Sequence, residues 1–253
     1  MTSSTGDQKE RKLREFWAPY WNKRTDGWHK DQSEDFLQKE AREKMFHMGG
    51  GESLLDFGCG SGDLLQYMAP HYREVTGVDF SENMLKVARE KMDARCGDRV
   101  RLILGDDVTF WDSVQGQSFD RIIMVGVVQY LLLDQLNGFL ERSHQHLADG
   151  GKIILFDVAD ARLAPLFKVG FFNYDQPLVM VPYQYVRNLS DSVRRKIRGG
   201  PWSHMNFLYA PNEIVRVAND LDFDAEVVRS TYYEYRYHVI LTERRSDGPM
   251  EQG

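Results

Sequence analysis

The stretch LLDFGCGSGDLLQY, residues 54–67, decides the fold of this chain. It places Gly58, Gly60 and Gly62 between a short apolar run that ends at Asp56 and a segment with helical spacing. A glycine has no Cβ, so it adopts unusual backbone angles and lets a ligand approach the main chain. A glycine-rich turn that leads from a strand into a helix is a common nucleotide-binding element. The stretch therefore predicts an α/β domain with a ligand at this turn.

Short apolar runs, each typical of a buried strand, alternate with segments of helical spacing on both sides of this turn. The predicted strands are 53–58, 74–80, 100–106, 119–127 and 151–158. The predicted helices are 62–70, 81–94, about 134–147 and 211–221. Strands that are apolar on both faces and alternate with helices indicate a parallel sheet covered on both sides.

Two more strands are predicted near the end of the chain, at 225–230 and 235–244. The link between them is too short for a parallel crossover, so they should form an antiparallel pair. In the second strand Arg236 and His238 alternate with apolar residues, which predicts one partly polar face. The fold class is therefore α/β, with a mostly parallel, doubly wound sheet of seven strands whose last strand is antiparallel.

The stretch 160–210 breaks this alternation with prolines, many aromatic residues and a basic cluster. The cluster consists of Arg187, Arg194, Arg195, Lys196 and Arg198. A long insertion in a compact domain is usually functional, so a substrate cap between strands five and six is predicted. A packed subdomain with its own aromatic core is the alternative. The cluster could attract a phosphate, carboxylate or sulfate, although a solvated helix face is the commoner meaning of such a run.

Composition limits the function classes. The chain has 253 residues, 42% of them hydrophobic and 28% charged, and a formal net charge of −6. This acidity argues against nucleic acid as the default partner, and no apolar run approaches the length of a membrane span. Cys59 and Cys96 have neither disulfide nor zinc spacing, so we expect no metal site and a reducing, cytoplasmic location. A monomer or a homodimer is expected.

The acidic residues around the glycine turn indicate the ligand class. A dinucleotide fingerprint needs a small residue at its sixth position, but Asp63 stands there, and with Asp56 it would put negative charge beside a pyrophosphate. Asp79 ends the second strand, where a carboxylate can accept both ribose hydroxyls. Asp106 and Asp107 end the third strand, beside the expected adenine edge. The pattern therefore favours a nucleoside without phosphates.

With two further motifs the chain resembles the class I S-adenosylmethionine-dependent methyltransferases, over about residues 50–160 and more loosely over 211–244. The motifs, in order, are LLDFGCGSG, GVDFSENML, GDD, FDRIIMVGVVQYL and LADGGKIIL. The resemblance implies S-adenosylmethionine as the cofactor. It implies an N-terminal helical and aromatic segment over 1–50, a cofactor-binding core over 51–160, the cap over 161–210, and a C-terminal completion of the core over 211–244.

The resemblance also implies which residues hold the cofactor. Asp56 and the glycines would hold its methionine moiety, Asp79 the ribose, and Asp106 the adenine. The full set of implied cofactor residues is Asp56, Gly58, Cys59, Gly60, Gly62, Asp79, Phe80, Met84, Asp106, Asp107, Val125 and Gly126.

The acceptor should lie where strands four and five end, near the chain start and the insertion. The candidate catalytic residues are His204, Tyr20 and Asp157; the candidate substrate-binding residues are Tyr20, Trp21, Gln129, Tyr130, Arg187 and Trp202. Each has a structural alternative: His204 as an ordinary surface histidine, Tyr130 as core, and Trp17, Tyr20, Trp21 and Trp28 as the buried face of a helix. His144 and His146 diverge on a helix, so they are interpreted as solvated.

These observations predict methyl transfer to an oxygen or nitrogen of a small molecule, with an anionic acceptor such as a sugar, nucleotide-sugar or secondary metabolite in view. An RNA or protein methyltransferase is the rival, disfavoured by the acidity and by VGVVQY where base-modifying relatives carry an Asn/Asp-Pro-Pro-aromatic motif. An NAD-dependent oxidoreductase is disfavoured by the glycine spacing. A non-catalytic binding protein that keeps the cofactor fold stays open.

Overall fold

The protein is described by a computed structural model, which covers residues 15–27, 29–163, 165–166 and 207–244. Most of the predicted cap lies outside these residues, and so do the basic cluster, Trp28, Arg187, Trp202 and His204.

The described residues form one seven-stranded sheet between two layers of helices. Its strands are β1 (Ser53–Phe57), β2 (Glu74–Asp79), β3 (Val100–Leu104), β4 (Phe119–Val125), β5 (Leu147–Ala159), β6 (Phe223–Arg229) and β7 (Arg236–Glu243). The helices are α1 (15–21), α2 (Glu34–Met48), α3 (Leu65–Met68), α4 (Glu82–Arg95), α5 (Leu133–Gln145) and α6 (Pro211–Asp220). The spatial strand order is β3-β2-β1-β4-β5-β7-β6.

The strand directions confirm the predicted fold class. The pairs from β3 to β5 are all parallel, whereas β7 runs antiparallel to both β5 and β6. The strand order reverses between β1 and β4, and in open α/β sheets ligands bind beyond the carboxyl ends of the strands at such a point.

Each face of the sheet is buried against its own helices, which explains why the strand sequences are apolar throughout. On β1, Leu55 and Phe57 join the core packed under α5 and α6, while Leu54 joins the core under α2, α3 and α4. On β5, Ile153 and Ile154 divide between the two cores in the same way. A side chain period of two therefore serves both layers at once.

Three local features differ from the sequence-based prediction. The helix predicted over 62–70 is a single α-turn, Leu65–Met68, followed by a 3₁₀ turn that contains Pro70. This proline fixes its own φ and has no backbone N–H to continue a helix. Strand β5 begins at Leu147, four residues before the predicted start. The polar face of β7 is covered by α2, because His238 is fully buried there.

The segment before α2 crosses the carboxyl ends of the strands. We call residues 15–27 and 29–30 the covering segment. Its Asn22 accepts a hydrogen bond from the α4 N-cap Ser81 (2.7 Å), and Arg24 O accepts one from Asn83 (2.6 Å). At its other end Lys30 N donates to Tyr233 Oη (3.1 Å), in the β6–β7 connection. In the part of the chain that the structure describes, no helix has both the length and the apolar character of a membrane span.

Candidate cofactor site and acceptor end

A cavity of about 370 Å³ lies between the covering segment and the carboxyl ends of β1, β2, β4 and β5. It has the size and partly apolar lining of a small-molecule site. The predicted cofactor residues that line it are Asp56, Gly58, Cys59, Gly60, Asp79, Phe80, Met84, Asp106, Asp107, Val125 and Gly126. Of the predicted acceptor residues, Trp21, Gln129, Tyr130 and Asp157 also line it. Gly62 and Tyr20 are not part of its wall.

The three glycines of the turn differ in what surrounds them. All have positive φ, at 78°, 55° and 73° for Gly58, Gly60 and Gly62. A Cβ on Gly58 would lie 2.3 Å from Val127 Cγ2, and one on Gly62 would lie 2.9 Å from Met92 Cε. Nothing lies within 4 Å of a Cβ built on Gly60, which lines the cavity. Gly60 thus gives a ligand access to the backbone, while Gly62 lets the turn pack against α4.

Asp56 brings a buried carboxylate to the cavity. Its side chain is almost fully buried, and Oδ1 has no hydrogen-bond partner among the described residues. Burial, together with repulsion from Asp79, raises the pKa of this carboxyl to about 7. An unsatisfied acceptor of this kind is costly unless a donor binds it. The ammonium group of an amino acid moiety is such a donor, so Asp56 fits the predicted methionine end of the cofactor.

Asp79 both lines the cavity and holds the glycine turn. Its Oδ2 accepts from Gly60 N (2.9 Å), and its Oδ1 accepts from Ser81 N (2.8 Å). Burial raises its pKa to about 6, against the effect of these backbone donors. Each carboxylate oxygen can accept a second hydrogen bond, so the predicted ribose contact is compatible with both. The sequence did not indicate the second role, because a contact between residues 60 and 79 requires the folded sheet.

The residues at the predicted adenine end are also engaged in local structure. Asp106 Oδ1 accepts from Val108 N (3.1 Å) and from Thr109 N and Oγ1, which closes a turn after β3. Asp107 Oδ2 accepts from Gln135 Nε2 (3.2 Å). Phe80 stands 41% exposed beside this end of the cavity, and Met84 is buried beneath it. This apolar pair suits the faces of a purine.

Asp63 joins the covering segment to the glycine turn. Its Oδ2 accepts from Gly27 N (2.7 Å) and lies 3.6 Å from His29 Nε2, while Oδ1 accepts from Lys91 Nζ. Burial alone would raise its pKa, but the hydrogen bonds from His29, Lys91 and Gly27 hold the pKa well below its usual range. The negative charge of Asp63 beside the ligand site is therefore neutralised, and Asp63 attaches the covering segment to the glycine turn.

His29 is the cation of the covering segment that faces Asp63. Its Nδ1 lies 3.0 Å from Glu40 Oε2, so the imidazole stands between two carboxylates. Burial lowers the pKa of His29, but the hydrogen bonds and charges of Asp63 and Glu40 outweigh burial and raise it to about 9. His29 is consequently protonated at neutral pH.

Asp157, a predicted catalytic carboxylate, is held in an ion pair. Its Oδ2 lies 2.7 Å from Lys44 Nζ, and its Oδ1 accepts from Ser230 Oγ (2.9 Å). Burial would raise its pKa, but the charge and hydrogen bond of Lys44, together with the charge of Arg236, lower it overall. A carboxylate with a depressed pKa and with both oxygens occupied is a weak proton acceptor. Its contacts suit positioning better than proton transfer.

Aromatic side chains form the cavity wall at the ends of β4 and β5. Trp17 and Trp21 meet Tyr130 edge to face, with centroid distances of 5.1 and 5.7 Å. Arg236 adds a guanidinium, whose centre lies 5.2 Å from the Tyr233 ring. Burial raises the pKa of Tyr130 to about 12. We call this wall the acceptor end.

Two further polar atoms at this end have no hydrogen-bond partner among the described residues. They are Trp17 Nε1, a donor, and Gln129 Oε1, an acceptor, both buried in residues that line the cavity. Gln129 is itself fixed, since its Nε2 donates to Gly126 O (2.9 Å). A bound molecule with a donor and an acceptor would satisfy both atoms.

Among the described residues, Glu43, His47 and His238 form the cluster with metal-ligand chemistry. The hydrogen bonds of His238 argue against a divalent ion there. Its Nδ1 accepts from Asp157 N (3.0 Å), so the ring proton sits on Nε2, which faces Glu43 Oε1 at 3.3 Å. A histidine that binds a metal through Nε2 needs its proton on Nδ1.

Several residues of the site carry no sequence signal. Sequence reasoning missed His29, Glu40, Lys44, Tyr233 and, as a cavity residue, Arg236. Lys44 is fully buried although helix α2, EDFLQKEAREKMFHM, reads as a charged surface helix. The single available hint was Arg236 and His238 on the inner strand of the antiparallel pair, since polar residues on a covered strand need partners.

The comparisons agree with this geometry. A family model described as "Methyltransferase domain" matches residues 55–153. An uncharacterised methyltransferase of Geobacillus sp. (strain WCH70) is 28% identical over 147 residues, covering 58% of this chain and 66% of that protein. The S-adenosylmethionine-dependent methyltransferase UmaA of Mycobacterium tuberculosis is 26% identical over 213 residues, covering 80% and 67%. The chain thus spans about two thirds of the length of these curated relatives.

A solved structure shows the same fold. Magnesium protoporphyrin IX methyltransferase from Synechocystis PCC 6803, with bound S-adenosylmethionine, superposes with a TM-score of 0.56 at 15% identity, covering 92% of this chain and 96% of that one. The orphaned Asp56 oxygen, the open side of Gly60 and the carboxylate at the end of β2 fit S-adenosylmethionine as the cofactor. The family model, the relatives and the shared fold together support a class I S-adenosylmethionine-dependent methyltransferase.

Proposed function

We propose that the protein transfers a methyl group from S-adenosylmethionine to an oxygen or nitrogen of a small-molecule acceptor that carries an anionic or polar group. The observation that carries this proposal is the shape of the cavity. Its wall includes the cofactor residues, the aromatic residues of the acceptor end and Trp17, Trp21 and Gly27 of the covering segment. A concave site with an aromatic wall of this kind suits a small planar molecule better than a folded macromolecule.

The cofactor supplies an electrophilic methyl group on a sulfonium; the side chains of the chain position both reactants and exclude water. Asp56 and Asp79 hold the cofactor through its donors, and the backbone at Gly60 lets it approach. Trp17, Trp21 and Tyr130 orient the acceptor and keep the reacting centre dry. Positioning and exclusion of water are the main requirements of an in-line displacement.

Arg236 supports the anionic or polar group on the acceptor. Its Nη1 donates to Asp157 O (3.0 Å), and the guanidinium stacks near Tyr233 and Tyr235 at the cavity wall. Guanidinium N–H donors are well suited to carboxylate and phosphate oxygens. Arg187, predicted to bind the substrate, and the basic cluster that could attract an anion lie outside the described residues.

The contacts of Asp157 favour an acceptor that needs no strong base. A neutral amine is such an acceptor, whereas a hydroxyl requires a group to remove its proton. Asp157 is paired with Lys44, and Tyr130 has a pKa raised to about 12, so neither is a ready base at neutral pH. His204, the remaining predicted base, lies outside the described residues.

The test is a screen of small acceptors with S-adenosylmethionine labelled in the methyl group. Aromatic amines, phenols and their carboxylated or phosphorylated forms are compared, with label transfer as the readout. We expect transfer to anionic planar acceptors, and a rise in KM when Arg236 is replaced by Met. The Lys39→Met variant removes a cation from an exposed site on α2 and serves as the control.

The rivals predict other results. Label that appears only in added RNA or protein would contradict the small-molecule proposal and support a macromolecular acceptor. A protein that binds S-adenosylhomocysteine tightly but transfers no label to any acceptor class would support a non-catalytic binding protein.

A further inference from the structure

Asp157 has a backbone conformation that few non-glycine residues adopt. Its φ is 57°, in the left-handed region, near the end of β5 and at the cavity wall. A non-glycine residue keeps such a conformation only when its surroundings enforce it. Four contacts do so: Oδ2 to Lys44 Nζ (2.7 Å), Oδ1 to Ser230 Oγ (2.9 Å), N to His238 Nδ1 (3.0 Å) and O to Arg236 Nη1 (3.0 Å).

Lys44 is the central cation of this arrangement. Its side chain is 0% exposed, and Nζ lies 2.7 Å from Asp157, 2.9 Å from Glu43 and 4.0 Å from Glu40. Burial lowers its pKa, but the three carboxylates outweigh burial, so the pKa is raised and the ammonium stays charged. Lys44 does not line the cavity, whereas Glu40 and Asp157 both do.

The arrangement continues to the covering segment. Glu40 Oε2 lies 3.0 Å from His29 Nδ1, and His29 Nε2 lies 3.6 Å from Asp63 Oδ2 in the glycine turn. Charges of opposite sign therefore alternate from Asp63 through His29, Glu40 and Lys44 to Asp157. We call these five residues the buried charge chain.

The other end of the buried charge chain lies at the acceptor end. Arg236 Nη1, which donates to Asp157 O, would lie 3.5 Å from a Cβ on Gly126 at the end of β4. The conformation of Asp157 thus fixes where its carbonyl points, and the carbonyl fixes one hydrogen bond of the guanidinium.

We propose that Lys44 is a positioning residue, which couples the closure of the covering segment over the cofactor to the placement of Asp157 and Arg236 at the acceptor end. The proposal rests on the function proposed above. Removal of the ammonium leaves three buried carboxylates without their shared cation, which is strongly unfavourable. Glu40 and Asp157 must then move, and the contacts of His29 and Arg236 change with them.

The test measures cofactor-site binding and segment mobility. Binding of S-adenosylhomocysteine to the full chain is measured by calorimetry for wild type, Lys44→Met, His29→Gln and the double variant. We expect Lys44→Met to weaken binding about tenfold, a coupling size common between distinct sites. The fold-loss of affinity in the double variant should be smaller than the product of the fold-losses in the two single variants, because both changes act through Glu40.

The matched control is Lys39→Met, on the same helix. Lys39 is 53% exposed and pairs with Asp35 at the surface, so its loss should leave binding within about twofold, as expected for an exposed pair. Amide hydrogen exchange adds a readout that a general loss of stability does not give. In Lys44→Met, amide exchange should accelerate in residues 22–27 and 157–160 more than in β3, because β3 is remote from the buried charge chain.

The outcomes separate the two proposals. If wild type does not bind S-adenosylhomocysteine, the proposed function is overturned and Lys44 has no such role. If wild type binds, but Lys44→Met binds equally well or its effect multiplies with that of His29→Gln, the coupling alone is overturned. Should Lys44→Met not fold, the double variant Lys44→Met with Asp157→Asn takes its place, because it also removes one of the buried carboxylates that have lost their cation. Native-like binding in that double variant would overturn the coupling too.

Discussion

At the scale of single residues, some glycines of the turn are required by packing, and another leaves the backbone open to a ligand. All three glycines have positive φ, but Gly58 and Gly62 are required by neighbouring side chains, while Gly60 faces open space in the cavity. A substitution at Gly60 therefore tests the ligand more directly than one at either neighbour.

Gly60→Ala should lose cofactor affinity well beyond its loss of stability. The left-handed φ of 55° costs an alanine about 1 kcal/mol, and the new methyl group enters the cavity. Gly116 is the matched control, since its φ is 72°, nothing lies within 4 Å of its Cβ position, and it is remote from the cavity. We expect both variants to lower the unfolding free energy alike in urea. Equal affinities of the two for S-adenosylhomocysteine would contradict the role given to Gly60.

The raised pKa of the Asp56 carboxyl leads us to expect that this group releases a proton when the cofactor binds. Burial and Asp79 raise its pKa to about 7, so the folded protein favours the protonated form as the pH falls below 7. An ammonium group bound to Asp56 favours the carboxylate, so binding should release a proton and strengthen as the pH rises through 7. Calorimetry at pH 6.5 in two buffers of different ionisation enthalpy measures the release.

Asp56→Asn is the control for this linkage, because the amide does not titrate. Its binding should be weaker and should differ less between the two buffers than that of wild type. The remaining difference belongs to Asp79, whose pKa is also raised. Equal proton release in Asp56→Asn and wild type would contradict the assignment to Asp56.

At the scale of elements, the covering segment depends on the protonated form of His29. The pKa of His29 is raised from 6.5 to about 9, so its stabilising contribution is complete below pH 6.5 and is lost as the pH rises through 9. The unfolding free energy should fall by up to about 3 kcal/mol between pH 7 and 10, since one pKa unit corresponds to about 1.4 kcal/mol. Urea titrations across this range measure the loss.

His29→Gln should remove this part of the pH dependence, while His71→Gln, at an exposed position, should keep it. Glu40 and Asp63 face the imidazole directly, with Lys44 and Lys91 next to them. If the unfolding free energy of wild type changes with pH in parallel with that of His29→Gln up to pH 10, the attachment of the covering segment does not depend on the imidazolium.

The same scale shows what the sequence can and cannot predict. The strands and the antiparallel β7 follow from local apolar runs, turn residues and the short link after Arg229. The carboxylates at the strand ends were found because the carboxyl ends of parallel strands lie along the same edge of a sheet. The buried charge chain was not found, since Lys44 and Glu40 become buried only when α2 packs beside β5 and β7. In the sequence they are one more charged pair on a helix.

At the scale of the whole molecule, the site belongs to no single element. Its walls come from the glycine turn, the ends of β2 to β5, the covering segment and the β6–β7 connection. A ligand that binds there contacts parts that lie far apart along the chain and separate when the protein unfolds. Binding to the folded state alone therefore stabilises the whole domain, to an extent set by the free ligand concentration.

S-adenosylhomocysteine at a hundred times its Kd should raise the unfolding free energy by about 2.7 kcal/mol, because the native state alone is bound. NADH at the same concentration should leave it unchanged, since the pyrophosphate would meet Asp56 and Asp79 beside a glycine turn that lacks the dinucleotide spacing. Urea unfolding with each ligand, in wild type and in Gly60→Ala, measures both effects. Stabilisation by NADH equal to that by S-adenosylhomocysteine would contradict the assignment of the cavity to an adenosyl cofactor without phosphates. Stabilisation by the adenosyl compound that persists undiminished in Gly60→Ala would instead move the binding site away from the glycine turn.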